Sequence, residues 1–308
     1  RMDYLGAMQT RHALCMCIEQ AMGIEVSERV KVIRTIMDEL QRIDSHILFF
    51  SCLCQDLGAT TAFLYGFRDR EEILKIFEKT TGGRLIINYN MIGGVAHDLH
   101  PDFVEDVKRF INETMPKGLK EYHKIFTGNV IFRNRSIGVG PLTREQVISY
   151  GCTGGTGRAA GWHCDLRKHR PYAAYDKVDF NEITYESGDS MDRYMVRLKE
   201  IEESCAIIRQ LIDNIPESVY HAVGGYFPEG GEPFNKQNML TVTELLTAWT
   251  RGGAYNLYCE DALGTLEAGK KADIAVLSGN LFTTPVEDAR SLKVDLTLLN
   301  GSIVHNAL

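Results

Sequence analysis

The feature that most constrains this fold is a stripe of apolar residues between positions 30 and 57. They recur every three or four positions, which is the spacing of one buried face of an α-helix. Ser27 is a suitable N-cap, Glu28 suits the positive end of the helix dipole, and Gly58 can end the helix. We therefore predict a helix of about 30 residues, roughly 45 Å long. The stripe consists of Val30, Ile33, Met37, Leu40, Ile43, Ile47, Phe50, Leu53 and Leu57.

Three further segments show helical periodicity. We predict a second helix from about Arg70 to Thr80, and a third that begins at Pro101, a residue that suits the first turn. A fourth helix begins at Ser190, and Pro216 closes it. Irregular loops are expected between about 127 and 187. The first part of the chain is thus predicted to be a mainly α helical bundle. The inward residues of the fourth helix would be Tyr194, Leu198, Ile201, Cys205, Ile208 and Ile212.

The chain changes character near residue 219. Residues 241–251 predict one amphipathic helix, and several short apolar runs that are typical of strands follow it. Asn300-Gly301 between two such runs is typical of a type I′ hairpin turn. We therefore predict two domains, a helical bundle at 1–218 and a small α+β tail at 219–308. The predicted strands are 274–277, 294–299 and 302–304.

Composition is that of a soluble globular protein and excludes some functions. The 308 residues carry 34 Lys+Arg and 41 Asp+Glu, a net charge of −7. A non-specific nucleic-acid binder needs a basic face, so this class is disfavoured. No run of about 20 apolar residues is present, so we predict no membrane span. The start at Arg1 carries no signal-peptide pattern and is typical of the interior of a longer chain.

The eight cysteines favour neither a zinc ribbon nor a redox site, because none forms a C-x-x-C pair. Cys15 and Cys17, and likewise Cys52 and Cys54, are two positions apart on predicted helices and therefore face different directions. We interpret them as buried thiols that pack as small hydrophobic groups in a reducing, cytoplasmic compartment.

The segment GTGRAA at 155–160 matches a dinucleotide-binding loop and follows the strand-like residues 147–150. Such a loop must lead directly into a helix whose N-terminus faces the pyrophosphate. No sustained helical period follows here. We therefore favour a tight structural loop over nucleotide binding.

Four metal-capable side chains follow that segment, at spacings that fit no tetrahedral site. Arg167, Lys168 and Arg170 would repel a cation bound among them. We therefore favour a salt-bridged or hydrogen-bonded loop over a metal centre. The four residues are His163, Cys164, Asp165 and His169.

Glu39, Arg42 and His46 lie on one stripe of the long predicted helix, and we interpret them as a paired, buried network. Asp56 falls between Leu53 and Leu57 near the end of that helix. Burial among apolar neighbours would raise the pKa of its carboxyl, and such carboxylates are common at functional sites. Functional and structural roles for Asp56 both remain open from spacing alone.

Six motifs stand in order along the first 217 residues: RMDY at 1–4, DLGAT at 56–60, FRDRE at 67–71, IGGVAHDLH at 92–100, DLRK at 165–168 and GD at 188–189. Together they resemble the D subunit of respiratory complex I, the NADH:quinone oxidoreductase. That family descends from the large subunit of nickel–iron hydrogenases. The resemblance therefore implies a helical bundle of the hydrogenase large-subunit type.

The resemblance implies a quinone site in the cavity where the hydrogenases bind nickel. Their nickel-binding C-x-x-C pair is replaced here by Asp3 and Gly6, so nickel is not expected. Tyr4 is implied to donate a hydrogen bond to the quinone. Asp56 is implied to pair with a quinone-contacting histidine of an upstream H-P-S-T-H segment, which is not among these 308 residues. Arg1 is implied to lie beside the terminal iron–sulfur cluster, which a neighbouring subunit ligates.

Ile86 departs from the family pattern. Arg84 and Ile86 map to the environment of the same cluster, and many members of the family carry a histidine at the position of Ile86. Hydrogen bonds from such groups raise the potential of a cluster. The isoleucine therefore predicts a lower potential, which suits a low-potential acceptor such as menaquinone.

Two stretches of the tail, LTVTELLTAWT at 240–250 and GTLEAGKKADIAVL at 264–277, resemble the C-terminal end of a metal-dependent amidohydrolase. In that family Gly269-Lys270 makes a turn and Asp273 opens a strand, and both are structural. The H-x-H pair, the metal-bridging lysine, further histidines and the catalytic aspartate lie upstream of this segment. None is present here, so the tail alone is not expected to hydrolyse a substrate.

These resemblances predict a chimera joined near residue 218, with a D-subunit part that is incomplete at both ends. A natural fusion, an error of sequence assembly and engineering all stay open as its origin. The favoured function is a peripheral subunit of NADH:quinone oxidoreductase, located on the inner face of the plasma membrane through its partners. Those partners are the other complex I subunits and quinone, with no nucleic acid.

No cofactor is expected on this chain alone, and the isolated chain is expected to be inactive. The alternatives are an amidohydrolase-type C–N hydrolase whose catalytic part is missing, and an inactive chimeric fragment. We also expect apolar helix faces that normally meet partner subunits to be exposed.

Overall fold

The structure, a computed structural model, describes residues 3–221, 241–256, 259–285 and 288–307. The chain divides into two compact units, residues 1–229 and 230–308. The domain boundary predicted at 218/219 stays a prediction. None of the described helices is both long enough and apolar enough to cross a membrane.

The first unit is a helical bundle, as predicted. Its helices in chain order are α1 (Ala7–Met22), α2 (Glu28–Asp56), α3 (Thr60–Thr81), α4 (Phe103–Arg109), α5 (Met115–Tyr122), α6 (Val130–Ser136), α7 (Arg144–Ser149), α8 (Gly154–Ala159), α9 (Leu166–His169) and α10 (Ser190–Leu211). Two short strands, β1 (Asn90–Met91) and β2 (Gly94–Val95), form an antiparallel pair. A 3₁₀ turn spans Tyr175–Lys177, and π-helical segments span Phe110–Thr114 and His123–Thr127.

Helix α2 confirms the prediction from the apolar stripe. It has 29 residues, and the Ser27 hydroxyl accepts a hydrogen bond from the Val30 amide. Gly58, at φ +84°, adopts the left-handed conformation just beyond its end. The stripe from Val30 to Phe50 is buried, and Leu53 and Leu57 are partly buried. Its burial drives the packing of α2 against α3 and α10.

Helix α3 begins ten residues earlier than predicted. Its buried face includes Ala62, Gly66, Asp69 and Arg70, which are small or charged and therefore give no apolar period. Gly66 allows close approach to α2, because a Cβ there would lie 1.9 Å from the Ser51 hydroxyl oxygen. Small residues at such a crossing bring two helices together.

The third predicted helix starts at Phe103, two residues after the predicted first-turn position of Pro101, because Asp102 takes the N-cap position. The two π-helical segments carry it through α5 to Thr127. The expectation of irregular loops between 127 and 187 is wrong in part, because α6 to α9 lie there. They form locally, since Asn129 caps α6 and Thr143 makes a capping box with Gln146 at α7.

The core of this unit lies among α2, α3, α5 and α10. Phe50 stacks on Tyr122 with ring centroids 4.1 Å apart, and Phe126 stacks on Phe132 at the same distance. The Tyr194 ring contacts both groups edge-on or tilted. The inward residues predicted for the fourth helix are all buried in α10 or just beyond it.

The second unit has the predicted small α+β character. Its helical part runs from α11 (Val242–Thr247) through a π-helical segment (Ala248–Gly252) to α12 (Gly253–Asn256). Three antiparallel strands follow in the order β3 (Ile274–Leu277), β4 (Val294–Leu299) and β5 (Ser302–Asn306), with a 3₁₀ turn at Ala289–Ser291 before β4. Asn300 and Gly301 have φ of 49° and 80°, the positive values of a type I′ turn. The hairpin prediction is confirmed.

Candidate functional site

The segment that carries Tyr4 is attached to the middle of α2. The Gln41 side-chain amide donates to the Leu5 carbonyl at 3.3 Å, and Gln9 donates to the Asp38 carbonyl at 3.1 Å. Tyr4 itself is 59% exposed, so its phenol is open to a ligand. Arg1, predicted to lie beside an iron–sulfur cluster, falls outside the described residues.

Asp56 is the last residue of α2, and it is exposed. The expectation that Leu53 and Leu57 would bury it is wrong. In this last turn the buried face carries Ser51 and Cys54, and Asp56 lies off that face. Its proposed role in a hydrogen-bonded pair is a separate matter and stays a prediction.

Tyr4 and Asp56 lie at different levels of α2. The residue after Tyr4 contacts Gln41, which precedes Asp56 by fifteen residues, or about 22 Å of helical rise. Arg84, after α3, binds Glu71 at 2.7 Å and Glu78 at 2.6 Å. These contacts join the Arg84 guanidinium to the exposed face of α3. The hydrogen bond to the Glu71 carboxylate raises the pKa of Arg84 above its ordinary value.

Ile86 lies two residues after Arg84 and is 54% exposed, next to Leu85 at 43%. A protein that covered these side chains would meet an apolar surface without a side-chain hydrogen-bond donor. The assignment of Arg84 and Ile86 to the environment of a cluster stays a prediction.

A buried carboxylate lies behind the Tyr4 segment, and no sequence pattern pointed to it. Asp44 accepts from Gln41 at 3.0 Å and approaches Arg70 of α3 at 2.9 Å. Burial raises the pKa of Asp44 to about 6, although the positive charge of Arg70 acts in the opposite direction. Gln41 thus links a titratable carboxyl on α2 to the backbone next to Tyr4.

The predicted network of Glu39, Arg42 and His46 is paired, as expected; Glu39 is fully buried, and Arg42 and His46 are partly buried. Glu39 accepts from Tyr175 at 2.5 Å and from Ser204 at 2.6 Å. Burial alone would raise its pKa, but the charges of Arg42 and then Arg167 hold the pKa at about 2.

The long-range partners of this network were missed by sequence reasoning. Arg167 reaches Glu39 at 3.1 Å and Asp165 at 2.7 Å. Glu200 of α10 pairs with His46 at 2.7 Å and also with Arg158. The network joins α2, α8, α10 and the chain around α9. Because its buried charges are matched with partners, it is a structural connection between these elements.

The interpretation of residues 163–169 as a salt-bridged loop is confirmed. His163 and His169 approach Glu182 at 3.2 and 3.5 Å, and Asp165 caps α9 and binds Arg167. Among the described residues no group of three or more His, Cys, Asp or Glu side chains could hold a metal ion.

The strand predicted at 147–150 is wrong, because these residues end helix α7. The GTGRAA segment lies largely within α8, a helix of six residues. The strand that a dinucleotide loop requires is therefore absent from this described stretch. The preference for a structural role holds.

The cysteine interpretation is half right. Cys15 and Cys54 are buried, whereas Cys17 and Cys52 are exposed. The two-residue spacing on a helix accounts for the difference within each pair.

Two surface grooves lie away from the predicted site residues. One, of about 370 Å³, runs along α5 and its flanking π-helical segments. The other, of about 840 Å³, lies in the tail between the α11–α12 helical segment and residues 260–270. Neither is lined by Tyr4, Asp56, Arg84 or Ile86.

Comparison with known proteins identifies the family. Residues 56–256 match the family described as "Respiratory-chain NADH dehydrogenase, 49 Kd subunit". The chain belongs to this family. Residues 214–305 also match the amidohydrolase family, so the tail is similar to those proteins as predicted. The two matches overlap between residues 214 and 256.

Relatives in the 49 kDa subunit family cover about 70% of this chain. The C/D subunit of NADH-quinone oxidoreductase from Phocaeicola vulgatus is 70% identical over 220 residues, which are 71% of this chain and 42% of that protein. The C/D protein of Bacteroides fragilis is 70% identical over 217 residues, 70% of this chain and 41% of that protein. The D subunit of NADH-quinone oxidoreductase from Geobacillus kaustophilus is 44% identical over 216 residues, 70% of this chain and 59% of that protein. The chain thus spans about two fifths of the length of these C/D relatives.

Proposed function

We propose that this chain is a peripheral subunit of an NADH:quinone oxidoreductase. It contributes part of the quinone cavity next to the terminal iron–sulfur cluster of a neighbouring subunit. The observation that carries this proposal is the 70% identity over 220 residues to a C/D subunit of NADH-quinone oxidoreductase. Its partners would be the other subunits of that enzyme, through which it would sit on the inner face of the plasma membrane.

The proposed chemistry is the reduction of a quinone to a quinol by two electrons and two protons. The electrons come from the cluster of the neighbouring subunit. Tyr4, with its exposed phenol, donates a hydrogen bond to a quinone oxygen and supplies a proton there. Asp56 pairs with a histidine that contacts the quinone, and this pair supplies the second proton. The exposed carboxylate at the end of α2 is accessible for that pairing.

The start of the chain does not fit nickel. Asp3 stands where the hydrogenases have a thiolate, and one of its carboxylate oxygens accepts from the Leu5 amide at 2.9 Å. A Cβ on Gly6 would lie 3.1 Å from the other oxygen. An oxygen donor that is engaged with its own turn does not match the soft ligands that nickel takes in those enzymes.

Replacement of Tyr4 by phenylalanine tests the quinone site. In the assembled enzyme we expect NADH-driven quinone reduction to fall about 10²-fold, because a proton donor is lost. NADH oxidation with ferricyanide, which accepts electrons before the quinone site, should be unchanged. The matched control is Tyr255→Phe, which removes an exposed tyrosine hydroxyl of the tail.

Two results would count against the proposal. Unchanged quinone reduction by Tyr4→Phe would refute the role of this residue. Failure of the full-length chain to copurify with the other oxidoreductase subunits would refute the proposed function itself.

Ile86→His tests the menaquinone hypothesis. A histidine at this exposed position would offer the neighbouring cluster a hydrogen bond, so its midpoint potential should rise. Redox titration followed by electron paramagnetic resonance measures that potential. Ile86→Leu keeps the surface apolar and should leave the potential unchanged. Equal potentials in the Ile86→His enzyme and the parent would refute the assignment of Ile86 to the cluster environment.

A further inference from the structure

Residues 128–151, named here the 128–151 surface, have regular structure and are nevertheless largely exposed. They include α6, α7 and the connection between them. Only Phe132, Ser136 and Val147 are buried within this stretch, and Leu142 is partly buried. These three side chains anchor the surface to the bundle, and the rest of it faces outward.

Large apolar side chains are concentrated on this surface. In the described part of the first unit, residues 3–221, fifteen large apolar side chains are exposed, and six of them lie in the 21 residues from 130 to 150. Isolated exposed apolar residues are normal, but a cluster is typical of a binding surface. The six are Val130, Ile131, Ile137, Val139, Ile148 and Tyr150, with exposed fractions of 46–71%.

The surface is held in one shape before any partner binds. The connection between α6 and α7 lies against the start of α10, where the Gly138 amide donates to Asp189 at 2.7 Å and the Ser190 amide donates to the Val139 carbonyl at 3.0 Å. Arg193 also donates to the Gly140 carbonyl at 3.1 Å. A surface fixed in this way loses little conformational entropy on binding.

The charge of the surface is opposite to that of the chain. Arg133, Arg135 and Arg144 are exposed against one acidic residue, Glu145, whereas the whole chain has a net charge of −7. No ion pair of the described residues involves Arg133 or Arg135. The 24 residues contain no lysine. Protein interfaces are enriched in arginine and tyrosine and depleted in lysine, as this surface is. Guanidinium groups also pair with carboxylates through two parallel hydrogen bonds.

These features indicate which kind of molecule binds the 128–151 surface. A second copy would oppose arginine to arginine, which is repulsive. A nucleic acid is bound mainly through many contacts of cationic side chains with phosphates, and this surface has only three arginines among its β-branched side chains. We propose that the 128–151 surface docks a partner protein whose contact face is apolar at its centre and carries carboxylates that pair with Arg133 and Arg135. This holds independently of the quinone chemistry proposed above.

Photo-crosslinking of the full-length chain in its native cells tests the proposal. Benzoylphenylalanine is placed at Val130 or at Ile148, and at Lys75 as a control on an exposed, charged part of α3. We expect the first two positions to give an adduct with the same protein, at a peptide that contains apolar residues and Asp or Glu. Lys75 should not give this adduct. No adduct at Val130 and Ile148, or an adduct with lipid, nucleic acid or a second copy, would overturn the proposal.

Charge reversal tests the arginines separately. The double variant Arg133→Glu with Arg135→Glu should lower the adduct yield about tenfold. Lys117→Glu with Lys120→Glu makes the same charge change on exposed positions of α5 and should leave the yield unchanged. Replacement of the crosslinked carboxylates of the partner by lysine should restore the yield of the arginine variant. All variants should melt at the parent temperature, because the altered side chains are exposed. An undiminished yield in the arginine variant would overturn the charge pairing.

Discussion

Helix α2 of the first unit buries seventeen of its 29 residues, whereas α11 of the tail buries none and every residue of β5 is exposed. The first unit is therefore stabilised by burial of apolar area and by matched buried charges. The described tail depends on local hydrogen bonds: the Thr241 capping box, the Asn300-Gly301 turn and the strand ladder. This difference predicts that a given kind of substitution has a large effect in one region and a small effect in the other.

The largest effect is expected at Glu39. Glu39→Gln removes the negative charge that neutralises Arg42 and Arg167 in a fully buried site. Breaking a buried charge pair in this way costs about 5 kcal/mol, because Arg42 loses its carboxylate partner and the buried Arg167 keeps only Asp165. Urea unfolding followed by far-ultraviolet circular dichroism measures the free energy of unfolding.

The control for Glu39 is Glu28→Gln at the start of α2. Glu28 pairs with Lys31 at 2.8 Å and with Lys177, but all three side chains are about half exposed. Surface pairs of this kind contribute about 0–1 kcal/mol. Similar losses in the two variants would mean that the network around Glu39 is hydrated and does not stabilise the bundle as proposed.

The next effect compares one apolar truncation in each region. Phe50→Ala should cost about 4 kcal/mol, since the ring is 1% exposed and stacks on Tyr122. Ile303→Ala in β5 should change stability by about 0.5 kcal/mol or less, because that side chain is 60% exposed. Hydrogen exchange of the β4–β5 amides reports the second value separately from the bundle. A loss above about 2 kcal/mol at Ile303 would show that a buried face of the sheet stabilises the tail.

Local signals explain which parts of the fold were predictable. The apolar stripe of α2 and the Asn300-Gly301 turn depend on residues that are close together in the sequence, and both were predicted correctly. The contact of Glu39 with Arg167 spans 128 positions and that of His46 with Glu200 spans 154. No periodicity encodes such pairs, so only the α2 side of the network was found. Helix α3 was predicted too short because Gly66 and Asp69 give no apolar period.

The candidate site residues rest on a different kind of signal. Tyr4 and Asp56 came from motif resemblance, and spacing alone placed Asp56 wrongly among buried neighbours. Asp44 was missed because its partner Arg70 lies on another helix. Family motifs point to individual residues, but they do not show which groups of other helices lie beside them.

The contribution of Asp44 to the free energy of unfolding should change with pH in the opposite direction to that of a paired surface carboxylate. Its pKa of about 6 in the folded state lies above the value of about 3.9 for an unfolded chain. Between pH 4 and 6 the folded state therefore binds more protons, and this contribution to stability is lost as the pH rises. The stability of the parent relative to Asp44→Asn should fall by about 2–3 kcal/mol from pH 4 to pH 7.

Asp106 supplies the control of opposite sign. Burial would raise the pKa of its carboxyl, but Lys79 and Arg109 lower it below the ordinary value. The Asp106 carboxylate should stabilise the folded state at neutral pH, and this stabilisation is lost as the pH falls. The difference in the free energy of unfolding between the parent and Asp106→Asn should therefore become smaller under acid conditions. Urea unfolding at pH 4 to 8 measures both variants. The same slope for Asp44→Asn and Asp106→Asn would refute the raised pKa of Asp44.

The smallest effect concerns the turn that holds the tail sheet. Gly301 has φ of 80°, so Gly301→Ala forces a side chain into the left-handed region and should cost about 1 kcal/mol. The β4–β5 amides should then exchange about fivefold faster. Gly252→Ala is the matched control, because Gly252 lies in a helical segment, where alanine is favoured over glycine. A Cβ added at Gly252 would lie 3.7 Å from the Thr247 carbonyl oxygen, which is an ordinary contact distance. Exchange of α2 amides should be the same in both variants. Faster exchange in α2 after Gly301→Ala would show that the tail hairpin and the bundle unfold together, and the contrast between the two regions would then be lost.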